Sequence, residues 1–173
     1  MIDRAAVSQA FRRTLAEATG RPCGLGKLPI VEGQPAEMPY LVLYPQGGPV
    51  GGAPLADASE DSELLYQVTA VAARTDQAEW MADRVRRAVL ERTATGGWCC
   101  PIDVPDVDVW ARELKVDSGT DDVESAAGVV SYPQRFCLSA SGRASGARSP
   151  RLDVRTASTP ECTAECVGWS VES

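Results

Sequence analysis

The sequence predicts an α+β fold: a four-stranded, mainly antiparallel sheet with two helices packed on one face, followed by an extended C-terminal tail. Two observations carry that reading. Within residues 63–92 the apolar period switches from two to 3.6, so a strand passes into a helix through a short polar turn. Two further alternating runs, 107–116 and 129–138, stand on either side of an acidic, glycine-containing turn region and read as a hairpin.

Taken in order, the chain opens with a helix. Asp3 is placed to cap it, Val7, Ala10, Phe11, Thr14, Leu15 and Ala18 line one face, and Gly20 is placed to end it. Residues 21–38 are rich in Pro and Gly and read as a connecting loop. Its Gly24-Leu25-Gly26-Lys27 has a faint likeness to a phosphate loop. Leu28 stands where the magnesium-binding hydroxyl belongs, and the preceding element is a helix, so a loop glycine cluster is the reading taken.

Pro39 and Pro45 bracket a short strand at 40–44, apolar on both faces as central strands are. Residues 46–62 form a long Gly/Pro-rich arm that ends in Asp57, Glu60 and Asp61, with Glu63 just beyond. Tyr66, Val68, Ala70 and Ala72 then alternate as a strand. Thr75 and Asp76, with Glu79, supply a capping box for the next helix, whose core stripe is Ala78, Met81, Ala82, Val85, Ala88 and Val89. Trp80 and Leu90 fall on the opposite face, among Glu79, Asp83, Arg86 and Arg87, and Arg84 is a further arginine of this helix. Trp and Arg concentrate at interface centres, which makes this face a candidate association surface.

Residues 93–107 are irregular. In the run 107–116, Trp110, Arg112, Leu114 and Val116 share one face by alternation, and Pro133 in the last run requires an edge or a bulge. Residues 117–128 carry Asp117, Asp121, Asp122 and Glu124. These acids, like Asp103, Asp106 and Asp108, lack the spacing of a calcium loop and read as solvated. Residues 1–138 make the α+β domain. Residues 139–173 are a low-complexity tail with Trp169 as its natural anchor.

Composition narrows the chemistry. The protein has 173 residues, a formal net charge of -7 and no long basic run, which argues against nucleic acid as the main partner. No apolar run reaches membrane-spanning length, and the first residues lack a signal-peptide core, so a soluble protein of the cell interior is expected. Histidine is absent, which removes Ser-His and Cys-His pairs, histidine ligands and a histidine base. The six cysteines, Cys23, Cys99, Cys100, Cys137, Cys162 and Cys166, fit neither a small disulfide scaffold nor a zinc knuckle. No catalytic residue, metal or cofactor is expected.

The stretch 66–90, YQVTAVAARTDQAEWMADRVRRAVL, and the helix-first order of residues 2–138 resemble the tail terminator proteins of long-tailed bacteriophages. The resemblance covers about four-fifths of the sequence. It implies a virion protein at the head-tail interface, assembled in the host cytoplasm. There it forms a homo-oligomeric ring, a hexamer, that caps the tube and stops its growth. Its partners are then the major tail tube protein and the head-tail connector or stopper protein, with no membrane and no sequence-specific nucleic acid contact. The helix arginines and the acids of 57–63 or 117–124 are the expected complementary surfaces, with Trp169 as a tail anchor. A head-completion or stopper subunit shares this plan. An enzyme working through an Asp or Cys99, or a small-ligand module, are readings of a different class.

Overall fold

The computed structural model describes residues 2–48, 61–120 and 128–142. The elements run α1 (Arg4–Thr19), β1 (Cys23–Leu25), β2 (Ile30–Val31), β3 (Gln34–Pro35), β4 (Tyr40–Gly47), β5 (Asp61–Ala72), α2 (Thr75–Leu90), β6 (Val107–Asp117) and β7 (Val130–Gly142). The fold is α+β, with both helices against one mixed sheet of five strands in the order β1-β4-β5-β7-β6.

The expected four-stranded sheet is therefore corrected to five strands plus a two-stranded hairpin. The additional strand comes from the segment read as loop: Cys23, Gly24 and Leu25 pair in parallel with Leu41, Val42 and Leu43. Three residues are too few for a visible alternation, and only the edge of β4 makes them a strand. The remaining ladders are antiparallel, as expected.

α1 forms as its sequence dictates. Asp3 accepts hydrogen bonds from the amides of Ala5 and Ala6, and Gly20 adopts φ 66 to close the helix. The buried face is shifted slightly. Thr14 and Ala18 are half-buried, while Ser8 and Thr19 are buried because each hydroxyl bonds to the carbonyl four residues earlier. The capping box of α2 does not form. Arg74 is the N-cap, without a side-chain cap bond, and it holds the Asp76 carboxylate through two hydrogen bonds of 2.9 and 2.8 Å. All six apolar residues expected on the core stripe of α2 are buried.

Helices and sheet share one core. Val7, Phe11 and Leu15 of α1 and Met81, Val85 and Val89 of α2 meet Leu41, Leu43, Tyr66 and Phe136 on the sheet. Tyr66 is its polar centre: the Phe11 ring meets it edge-on at 5.2 Å, and its hydroxyl is 3.0 Å from that of Ser8. α1 packs over β1 and β4, α2 over β5, β7 and β6, and the two helices pack against each other.

Three strand expectations change. β7 runs to Gly142 rather than ending at Leu138, and Ala140 is fully buried. Pro133 lies in an interior strand, but its carbonyl accepts from Ser118 just past the last β6 pair, Asp117 with Gln134. Its missing N–H thus points to where the β6 ladder has ended. On β6, bulges between Val109 and Ala111 and between Leu114 and Val116 break the alternation. Arg112 is buried and Leu114 packs on the core, whereas Trp110 and Val116 are 53% and 40% exposed.

Candidate functional site

Two of the three arginines Arg84, Arg86 and Arg87 of α2 are engaged within the chain itself. Arg84 lies over the Trp80 ring at 4.9 Å and reaches the Ala18 carbonyl at 3.4 Å, stitching α2 to the end of α1. Arg86 pairs with Asp83 one turn away and with Asp117 at 2.7 Å. Arg87 is exposed. Trp80 remains 46% exposed, as the helix wheel expects, but Leu90 does not join it: Leu90 packs against the core where α2 ends over the sheet.

The acids expected opposite these arginines separate. Asp61 and Glu63 are exposed residues of β5, not parts of a free arm; β4 takes up Gln46 and Gly47, and β5 takes up Asp61 and Ser62, from the two ends of the loop expected at 46–62. Asp117 closes β6 and belongs to the Arg86 pair. Asp57, Glu60, Asp121, Asp122, Glu124 and Trp169 lie outside the described residues, as do Cys162 and Cys166.

Sequence reasoning passed over a second surface. β2 and β3 form a tight hairpin whose turn residues Glu32 and Gly33 both take positive φ, 50 and 81, as a two-residue hairpin requires. Leu28, Ile30, Val31 and Met38 on and beside it are exposed, Ile30 by 59%. The signal was present in the sequence as an apolar pair before Glu-Gly, but it lay within a Pro/Gly-rich stretch that reads as loop.

The exposed large hydrophobics of the described residues thus fall into two groups. Leu28, Ile30, Val31, Met38 and Tyr44 lie on the β1–β4 half, and Trp80, Trp110 and Val116 on the α2–β6 half. The long open edge of β6 carries two bulges and the charges of Glu113 and Lys115, devices that oppose strand addition. Any partner there meets side chains rather than the backbone ladder.

One concave feature stands apart from these surfaces. A cavity of about 490 Å³ is bounded by Trp98, residues 101–105, Arg13 of α1 and residues of β6 that include Asp108 and Arg112. Thr14 holds its far wall by donating to the Pro101 carbonyl at 3.1 Å.

The buried thiols sit on strands. Burial pushes Cys23 up to about 12, against a smaller lowering effect of Arg12, and burial likewise raises Cys137. Among the described residues no group of three or more His, Cys, Asp or Glu is placed to hold a metal ion, and no helix is long and apolar enough to cross a membrane. No family model matches the sequence, and no curated protein matches it.

Proposed function

We propose that this protein is a structural subunit of a long-tailed bacteriophage, a tail terminator that forms a ring on the tail tube. It ends tube polymerisation and joins the tube to the head connector. A hexamer of such subunits works at the head-tail interface of the virion after assembly in the host cytoplasm. Its partners are copies of itself, the major tail tube protein and the connector or stopper protein.

The observation that carries this reading is the division of exposed apolar side chains between the hairpin half and the α2–β6 half. A closed ring uses head-to-tail contacts, so each subunit carries two different patches that complement each other. An isologous dimer needs only one. The resemblance of residues 66–90 to the terminator strand-turn-helix, and the helix-first order, supply the particular assembly.

Complementation tests the two-patch logic. Ile30→Asp disables the hairpin patch and Trp110→Asp the β6 patch, so each variant alone fails to form rings, whether free or on tail tubes. An equimolar mixture retains one intact pair of patches and gives a dimer by light scattering. A mixture that stays monomeric, beside a wild type that forms no ring with or without tubes, sinks the reading. Particles lacking the protein then fix its position: overlong headless tails support a terminator, and normal tails beside leaking heads assign it to the stopper instead.

A further inference from the structure

Both helices pack on one face of the sheet, so among the described residues the opposite face carries no helix. Alternation decides which side chains stand on that open face. Leu64 and Tyr66 of β5 and Phe136, Leu138 and Ala140 of β7 belong to the core, so Asp61, Glu63 and Leu65, with Cys137, Ser139 and Ser141, point away from it. They meet in rows: Asp61 beside Ser141, Glu63 beside Ser139 and Leu65 beside Cys137. On the far side of β7, Ala111 and Glu113 of β6 continue the last two rows.

The β7 side chains in these rows are small and at least half-buried, while Asp61, Glu63 and Glu113 beside them are exposed. The charges gather around one thiol: burial and then Glu63 raise the Cys137 pKa, Lys115 lowers it and Glu113 raises it. Glu113 is balanced by its ion pair with Lys115. Among the described residues no ion pair holds Asp61 or Glu63. These two carboxylates stand two residues apart on one face, so they repel until a cation lies beside them.

The chain leaves the sheet at this same end. Gly142, the last residue of β7, pairs with Val107 one step beyond the row of Asp61 and Ser141. The sequence then continues through Arg143, Arg148, Arg151 and Arg155 with only Asp153 against them. Leu152 and Val154 alternate with Arg151, Asp153 and Arg155, so an extended chain there has one apolar and one charged side. Nine extended residues span about 30 Å, so a segment that reverses just past Gly142 is long enough to pass all three rows.

We propose that residues 143–155 dock on this open face of their own chain. The arginines engage Asp61 and Glu63, and Leu152 and Val154 cover Leu65. The docking lies within one chain and does not depend on a ring.

Hydrogen–deuterium exchange of the full-length protein, read by mass spectrometry on peptides from 143–155, tests it. Their amides are expected to exchange at least about fivefold more slowly than in the double variant Asp61→Lys, Glu63→Lys, and salt at about 1 M to remove most of that difference. Unchanged exchange of α1 peptides reports that the variant is folded. Where it is not, the pair Arg148→Glu, Arg151→Glu gives the same loss of protection without altering the sheet. Combining the two double variants reverses both sets of charges and restores the protection. Exchange of 143–155 at the rate of an unstructured peptide, or protection that survives both charge reversals, overturns the proposal. Protection that disappears on about hundredfold dilution overturns it as well, and gives the face to a second copy of the chain.

Discussion

Arg86 of α2 donates to the Asp117 carboxylate at 2.7 Å and so ties the outer face of the helix to the last residue of β6. The other carboxylate oxygen accepts from Gln134 of β7 at 3.4 Å. Two residues expected on complementary faces of neighbouring subunits are thus partners within one. Reversing Arg86 would disturb the fold itself as well as any contact the ring proposal gives this face, which leaves the exposed Arg87 as the cleaner probe.

For that pair, Asp117→Asn is expected to lower stability by about 0.5–1 kcal/mol, the range of a partly exposed ion pair. Urea melts at low and high salt check it, because the loss shrinks as salt screens the charge. Arg87→Glu leaves stability unchanged within about 0.5 kcal/mol and, on the ring proposal, reduces assembly.

Tyr66→Phe keeps the edge-on contact with Phe11 and removes only the hydroxyl bonded to Ser8. A loss of about 1 kcal/mol follows, since Ser8 retains its bond to the Arg4 carbonyl. Tyr66→Ala opens the centre of the core and costs about 3–5 kcal/mol. Denaturant midpoints at constant slope distinguish the two.

Gly24 answers to a backbone constraint. A Cβ there would stand 1.9 Å from the Lys27 carbonyl oxygen and 2.9 Å from the Pro29 nitrogen, so Gly24→Ala must displace the backbone of residues 27–29 or β1 itself. Gly26 has φ 65 and open space, and Gly26→Ala costs about 1 kcal/mol through strain alone. Thermal melts are expected to place Gly24→Ala below Gly26→Ala; the reverse order would refute the close-approach account.

Stability is expected to fall in alkali. Cys23 and Tyr66 both have pKa values raised by burial, from 9.0 to about 12 for the thiol and upward from 10.0 for the phenol. The folded state keeps these protons after the unfolded protein has lost them, so their contribution is intact below pH 9 and declines above it. Each group adds a slope of about 1.4 kcal/mol per pH unit above its unfolded value. Cys23→Ala flattens the first part of that decline, which denaturation at stepped pH measures.

Long periodic segments were legible because their side chains report their own burial. The stripe from Ala78 to Val89 and the alternation from Tyr66 to Ala72 both end in the core. The residues that misled did so at ends and irregularities. Asp76 had a nearer partner in Arg74 than the helix amides, and Leu90 sits where α2 terminates over the sheet. Trp110 and Arg112 shared a face by counting, and a bulge separated them. Arg112 is buried because its Nη1 donates to the carbonyls of Cys100 and Val89, two acceptors that the strand's own pattern does not name.

The sequence alone determined the α+β class, the helix caps at Asp3 and Gly20 and the positions of both helices, because these rest on interactions within a few residues. Tertiary structure decided the parallel strand at Cys23–Leu25, the partner of Arg86 and which apolar side chains stay exposed. Those depend on distant segments meeting, and a sequence read in order holds no record of which segments meet.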